Sequence, residues 1–207
     1  MAVIATAGHV DHGKSSLIRA LTGTHPDRLA EEQRKGMTID LGFAHMSTDS
    51  GATLSFIDVP GHTDFIRTMI SGVSGVDVAL LVVDAGEGWK PQTEEHLGIL
   101  EVLGITHGII ALSKCDRIDA SERQVRITEI RERMSSSTIS WTDIIETSIV
   151  TEEGLPDLVR ALTALTRMSQ RSIRPDAPRL FIDRIFTMKG AGTVVTGTLD
   201  TAPLHID

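Results

Sequence analysis

A single cysteine, Cys115, stands in 207 residues. One thiol excludes an internal disulfide framework and a cysteine-ligated zinc cluster. With no paired histidine or metal-ligand spacing, Cys115 reads as a small, partly buried thiol. Long apolar runs are also missing: none approaches the length that spans a bilayer, and the N-terminus lacks the charged-then-apolar segment of a secretion signal. A soluble protein of a reducing compartment, the cytoplasm, with no membrane partner, is therefore expected. Positive charge is scarce as well. Twenty Lys and Arg against 28 Asp and Glu leave a net charge of −8, which argues against indiscriminate coating of nucleic acid. Specific contact with an RNA-containing partner through a local patch stays open.

What is present is a hydrophobic fraction of 41%, enough for one sizeable core with material left for a linker or part of a second domain. Strand-like runs fall near Leu41–Met46, Thr53–Asp58, Val76–Asp84, His107–Ser113 and Ile144–Thr147. Helical patterns fall near Thr63–Ser71, Gln92–Leu103, Ser121–Met134 and Leu155–Leu165. This alternation predicts an α/β fold with a doubly wound, mostly parallel sheet and helices on both faces. The unbroken apolar runs Val78–Val83 and Ile109–Leu112 suit strands covered on both sides. Thr53–Asp58 is expected to pair antiparallel with Leu41–Met46. Two prolines in Ser172–Pro178 mark a linker. After it come β-like runs, Arg179–Phe186 and Thr193–Leu199, around Lys189-Gly190-Ala191-Gly192. The organisation expected is thus residues 1–171, a linker at 172–178, and the start of a β-barrel at 179–207. About 30 residues cannot close a barrel, so the barrel is expected to be incomplete.

The chemistry gathers first at Gly8-His9-Val10-Asp11-His12-Gly13-Lys14-Ser15, which fits G-x-x-x-x-G-K-[ST] between the β-prone run Ala2–Ala7 and the helical run Ser16–Leu21. An ordinary glycine-rich turn lacks that context; a phosphate loop requires it. The two glycines let backbone N–H groups and the positive end of the following helix point at a β-phosphate. Lys14 is placed to reach the β- and γ-phosphates and Ser15 to ligate Mg²⁺. Nucleotide-binding residues are expected at Gly8, Asp11, His12, Gly13, Lys14, Ser15 and Ser16.

Asp58-Val59-Pro60-Gly61-His62 stands at the end of a strand that faces the same crevice. Asp58 suits Mg²⁺ through a water, the Gly61 N–H a γ-phosphate, and His62 the orientation of an attacking water, which makes it the catalytic candidate. In the charged stretch Asp27–Asp40, Thr38 lies beside Gly36 and suits a switch loop whose hydroxyl joins Mg²⁺ only when a γ-phosphate is present. The metal set expected is Ser15, Thr38 and Asp58. Ser113-Lys114-Cys115-Asp116 follows an apolar strand. Asp116 can accept from both N1–H and N2–H₂ of guanine, Lys114 can lie along the base, and Ser113 stands where asparagine is more usual. Ser148 and Ile149 can offer backbone N–H groups to the base oxygen. Guanine nucleotides, GTP and GDP, are therefore expected over adenine nucleotides.

Weaker candidates are Trp89, a partner contact or a loop cap; Asp143 and Glu146, read as solvated; and Ser135–Ser137, read as a flexible turn. His9, His12, His96 and His107 lack metal-site spacing, and only His12 lies near the chemistry.

With these residues the chain resembles the translational GTPases, and among them those of the selenocysteine-specific elongation factor type. The phosphate loop and Asp58–His62 are shared with all tRNA-delivering factors. Asp27-Arg28-Leu29 with Glu31-Glu32, Thr38-Ile39-Asp40-Leu41-Gly42-Phe43-Ala44, Gln92-Thr93-Glu94-Glu95-His96-Leu97, Ile182–Thr187 and Lys189–Gly192 carry the resemblance further. It implies a P-loop GTPase that carries selenocysteinyl-tRNA to the ribosome, where His62 triggers hydrolysis. It also implies an mRNA hairpin bound by a C-terminal region beyond these residues. Asp183 and Arg184, at the opening of the barrel, are partner candidates: Arg184 offers positive charge to a selenolate, or the two residues form a structural ion pair. A related initiation or tRNA-delivering GTPase and an idle nucleotide-binding module are the alternative readings.

Overall fold

The structure, a computed structural model, describes residues 2–26, 38, 40–60, 68–70, 75–168 and 178–200. Along the chain run β1 (Ala2–Ala7), α1 (Lys14–Thr22), β2 (Gly42–Ser47), β3 (Thr53–Asp58), β4 (Val78–Asp84), α2 (Pro91–Val102), β5 (His107–Ser113), α3 (Ala120–Met134), β6 (Ser140–Glu146), α4 (Leu155–Met168), β7 (Arg179–Met188) and β8 (Gly192–Asp200). The first six strands form one sheet in the order β2-β3-β1-β4-β5-β6, and β7 and β8 form a second. Only β2 runs antiparallel in the large sheet, paired to β3 from Gly42↔Asp58 to Ser47↔Thr53. Every residue of β1 and β4 is buried, whereas the edge strands β2 and β6 alternate or open to solvent.

Side-chain alternation divides the core between the two faces. Val3, Ala5, Leu81, Val83, Ile110 and Leu112 pack with Leu97 and Leu100 of α2 and with Ile127 and Ile130 of α3. Their neighbours Ile4, Leu80, Val82, Ile109 and Ala111 pack with Leu17 and Ile18 of α1 and with Leu158, Leu162 and Leu165 of α4. Because β1, β3, β4, β5 and β6 run the same way, their carboxyl ends share one rim. That rim holds Asp58, Asp84, Ser113, Glu146 and the loop after Ala7.

Local chemistry sets the ends of the elements. Helix α1 stops at Gly23, whose φ of 72° lets its N–H turn back to the Arg19 carbonyl. Helix α3 starts in a capping box: Asp119 accepts from the Ser121 and Glu122 amides, and Glu122 accepts from the Asp119 amide. Strand β4 begins at Val78 and not Val76, because the Asp77 carboxylate accepts from the Val3 amide at 2.8 Å and ties off the strand's start. Strand β6 begins at Ser140, four residues before the apolar residues that betray it in the sequence. The residues before it are not a free turn: Ser137 Oγ donates to Glu101 Oε1 at 2.7 Å and accepts from Trp141 Nε1 at 3.1 Å. In the expected helix at 63–71 only residues 68–70 are described, and they are helical. The linker at 172–177, the charged stretch at 27–37 and residues 201–207 lie outside the described residues. The β7–β8 hairpin exposes Ile185, Phe186 and Met188, as an antiparallel pair at the start of a barrel-like sheet does.

The α4 face sets a test of this packing. Leu158 is fully buried against β5, so Leu158→Ala should lower the free energy of urea unfolding by about 2–4 kcal/mol with the slope unchanged. A loss below about 1 kcal/mol would mean that α4 is not clamped to the sheet.

Candidate functional site

The loop after β1 lies directly on β4. Gly8 has φ 126°, and a Cβ there would sit 2.2 Å from the Val82 carbonyl oxygen, so only glycine lets the chain pass. Gly13, at φ 93°, opens α1, and its carbonyl receives the helix's first N–H, from Leu17, at 2.8 Å. Helix α2 holds the loop from the other side. His96 Nδ1 accepts the Gly8 N–H at 3.1 Å, and Gln92 Oε1 accepts the Val10 N–H at 3.2 Å. These two residues lie four apart on one helix face. Ser113 Oγ donates to the His12 carbonyl at 2.7 Å, and Lys114 Nζ donates to the Asp11 carbonyl at 2.7 Å. Lys14 Nζ curls over the loop onto the Gly8 and His9 carbonyls at 3.0 and 2.9 Å. Ser16 is exposed beside it. His12 is fully buried: its Nδ1 faces the Val82 carbonyl at 3.4 Å, so it presents backbone, not its ring, to the loop's outer side.

Three oxygens meet beside this loop. Ser15 Oγ and Thr38 Oγ1 are 3.0 Å apart, and Thr38 Oγ1 donates to Asp58 Oδ2 at 3.5 Å. Asp58 is fully buried, and its other oxygen accepts from Thr6 Oγ1 at 2.7 Å. Thr6 in turn accepts the Val59 N–H at 3.2 Å, which fixes the carboxylate's direction. Two hydroxyls and a carboxylate form a hard oxygen set that fits Mg²⁺ with water and phosphate oxygens completing its shell. The charge balance fits too, since a single acidic group is offset by donors alone.

The base end of the crevice is built by Asp116 and the loop after β6. Asp116 Oδ1 accepts from Ser148 Oγ at 2.5 Å, which leaves the rest of the carboxylate free to face outward. Ser148 Oγ also accepts from the Val150 and Thr151 amides at 3.2 Å each. Ile149 is exposed at the loop's tip. Lys114, in the left-handed region at φ 57°, reaches back to Asp84 Oδ2 at 2.7 Å. Burial alone would raise the Asp84 carboxyl; the Lys114 ammonium and the Glu87 and Gly86 amides outweigh it and hold the group below its usual range. Cys115 behind this turn is inert: burial pushes its thiol up to about 11.

The structure thus brings together Gly8, Asp11, Gly13, Lys14, Ser15, Thr38 and Asp58 at one end and Ser113, Lys114, Asp116, Ser148 and Ile149 at the other. Gly61 and His62 lie outside the described residues. The hydroxyl of Ser113 turns to the phosphate loop and supports it. The Ser148 N–H, expected to face the base oxygen, is taken by the Glu153 carbonyl at 3.0 Å, which leaves the Ile149 amide for that task. Glu146 is paired, not simply solvated, with Arg123 at 3.1 Å. Arg184 takes its carboxylate from Asp40, at 2.8 Å, with the Leu41 carbonyl at 3.1 Å and the Phe43 ring beneath it. Trp89 is a loop cap, its Nε1 donating to Glu94 and Arg133 lying over its ring. Sequence reasoning missed Thr6, Gln92, His96, Asp84 and Arg123. The i, i+4 spacing of Gln92 and His96 was the one signal available for them.

The two buried imidazoles predict acid sensitivity. Burial, helped by nearby Lys14 and His9, lowers His96 to about 3. Burial, with His9 next, lowers His12 to about 4. Unfolded imidazoles titrate near 6.5. Between about pH 6.5 and 4 the unfolded chain therefore binds more protons, and stability falls as pH falls through that window. Unfolding by urea at pH 7, 6 and 5 should show this fall, and His96→Gln should flatten the slope by up to about 1.4 kcal/mol per pH unit. An identical slope in the variant would mean that His96 is not held neutral.

Comparison with known proteins follows the geometry. Residues 1–168 match the family model described as the elongation factor Tu GTP binding domain. The chain is 45% identical over 99% of its length to a selenocysteine-specific elongation factor of Desulfomicrobium baculatum, and covers 32% of that protein. It superposes with a TM-score of 0.86 on a crystal structure of a bacterial selenocysteine-specific elongation factor, EF-Sec, at 38% identity, covering 96% of this chain and 34% of that one. On translation elongation factor SelB from Methanococcus maripaludis, solved with the GTP analogue GPPNHP, the TM-score is 0.82 at 30% identity, covering 97% of this chain and 42% of the other. The chain spans about a third of the length of the curated relative and the bacterial structure it matches. Among the described residues no helix is long and apolar enough to cross a membrane. A phosphate loop on β4, an oxygen cluster beside it and a carboxylate at the base end agree with that match, and the chain belongs to the family of elongation factor Tu GTP binding domains.

Proposed function

We propose that this chain is the GTP-binding and GTP-hydrolysing part of a translation elongation factor that delivers selenocysteinyl-tRNA to the ribosome. The observation that carries the nucleotide reading is the meeting of Ser15, Thr38 and Asp58 beside the phosphate loop. Three oxygens from three distant segments have reason to converge where a cation and a triphosphate are to be held. The selenocysteine reading is supported by similarity to selenocysteine-specific factors over nearly the whole chain.

In this reading the N–H groups of the loop from Gly8 to Ser15 cradle the α- and β-phosphates. Lys14 exchanges the Gly8 and His9 carbonyls for phosphate oxygens. Ser15, Thr38 and Asp58 hold Mg²⁺, which when bound offsets charge on the β- and γ-phosphate oxygens. Asp116 accepts two N–H bonds from guanine, and the Ile149 amide meets its O6, the Ser148 N–H being held by the Glu153 carbonyl. The Gly61 N–H meets the γ-phosphate, and His62 orients the water that attacks it. Thr38 ties the charged stretch before it to the nucleotide state. Arg184, held by Asp40 at the opening of the barrel, turns its charge toward the selenolate of the carried amino acid. An mRNA hairpin is bound by a C-terminal region outside this chain, and the factor works in the cytoplasm.

Two measurements test the two halves. Wild type should bind GDP about 30- to 1000-fold more tightly than ADP, the effect of a charge-assisted pair of about 2–4 kcal/mol, and Asp116→Asn should shift preference toward xanthosine diphosphate. Equal affinity of wild type for GDP and ADP would refute the guanine reading. In the full-length factor, selenocysteinyl-tRNA should outcompete seryl-tRNA on the same tRNA body, and Arg184→Ala should narrow the gap while leaving GTP affinity unchanged. Equal binding of both charged tRNAs by wild type would overturn the selenocysteine reading alone.

A further inference from the structure

We propose that Arg123 is a positioning residue for guanine recognition, clasping the two ends of the loop that offers an amide to the base. The proposal rests on the guanine reading of Asp116 and names what holds the other half of that site in place.

Arg123 sits at the start of α3 (Ala120–Met134), just after the Asp116 turn. Its Nη1 donates to Glu146 Oε2 at 3.1 Å and to Glu153 Oε1 at 2.8 Å. Glu146 is the last residue of β6; Glu153 lies on the far side of the loop, just before α4. One nitrogen thus spans residues 147–152 from end to end. The Arg123 side chain is 18% exposed and its Nε is buried without a partner, so this guanidinium has given up water to make the clasp. Removing one member of such a partly buried pair costs more than the pair itself contributes, because the partners are left uncompensated.

The loop needs such a clasp. Its two strands of backbone touch: the Ser148 N–H donates to the Glu153 carbonyl at 3.0 Å, and a Cβ on Gly154 would fall 1.8 Å from the Glu146 carbonyl oxygen. Its apolar residues do little to hold it, since Ile149 is 46% and Val150 77% exposed. Without Arg123 the carboxylates of Glu146 and Glu153 would face one another across the loop's neck with no cation between them, and like charges would push the neck open. Thr147 would still be tied to the Leu112 carbonyl and Ser148 to Asp116 and the Glu153 carbonyl, but the exposed tip beyond them would be free to swing. The Ile149 amide that meets guanine O6 would lose its fixed direction, whereas the phosphate loop would keep its own supports from α2 and β5.

That division makes the test specific. Equilibrium titration and dissociation rates are measured on this chain with GDP and with the diphosphate of 2-aminopurine riboside, which lacks O6 and the N1–H but keeps the N2 amine, so that its affinity is lower from the outset and only its change on mutation is compared. Arg123→Ala should weaken GDP about 10-fold, mainly through faster dissociation, and change the 2-aminopurine nucleotide less than about 2-fold. Arg123→Lys should recover most of the loss, because a single nitrogen makes both bonds. If Arg123→Ala does not fold, Glu153→Gln leaves the Glu146 pair in place and should weaken GDP about 3-fold, again with little effect on the analogue. Equal losses on both nucleotides would reduce Arg123 to a structural role, and unchanged GDP binding in either folded variant would overturn the proposal. Failure of wild type to prefer GDP over the analogue would refute the guanine reading itself.

Discussion

The whole site depends on one close approach: the backbone at Gly8 passes over β4 with no room for a Cβ above the Val82 carbonyl. That contact sets the height of the phosphate loop over the sheet. It also sets the direction in which α1 leaves, and therefore where Ser15 points. The residues that brace the loop from α2 and β5 are useful only if it already lies there. His96 accepts the Gly8 amide itself, so the residue that lacks a side chain for packing reasons is also the one whose N–H is spoken for. Backbone freedom at Gly8 is removed from both sides, and the loop is a fixed cradle and not a flexible one.

Electrostatic order follows from the same arrangement. The rim of the sheet carries two buried carboxylates, Asp58 and Asp84, and each is answered locally. Asp58 takes hydroxyl donors from Thr6 and Thr38, while Asp84 takes the Lys114 ammonium and two amides. Asp58 is met by hydroxyl donors, which a cation can supplement. Asp84 is already matched, and its matched partner doubles as a tie across the phosphate loop. The histidines nearby are neutral for the complementary reason, because burial beside Lys14 penalises a second positive charge.

Most of this was legible in the residues, and what escaped had a physical reason. The doubly wound sheet was readable because Val78–Val83 and Ile109–Leu112 are apolar without interruption, which only strands covered on both faces need be. The chemistry of Lys14, Asp58 and Asp116 was readable because each stands at the end of such a strand. Strand β6 was half hidden, since its first residues face solvent at a sheet edge and carry no apolar pattern. Thr6, His96 and Arg123 were hidden differently. Each acts through bonds to a segment distant in sequence, and a local pattern holds no record of its partner. Ser113, which stands where asparagine is more usual, uses its hydroxyl on the His12 carbonyl, a partner 101 residues away that no local pattern records. For Arg184 no local pattern pointed to Asp40, 144 residues earlier in the chain.

The braces of the phosphate loop come from well along the chain: Val82 lies 70 residues from His12, Gln92 82 from Val10, His96 88 from Gly8, Ser113 101 from His12 and Lys114 103 from Asp11. A chain is made from its N-terminus, and contacts between distant residues form only after the intervening polymer has paid for closure. The loop is therefore synthesised before its braces and takes shape after them. Until α2 and β5 have joined the sheet, His96 does not hold the Gly8 amide, nor do Ser113 and Lys114 hold the His12 and Asp11 carbonyls. Nucleotide capture thus dates the maturation of this chain: it reports that β5 is in place, a check on assembly built into the order of the residues.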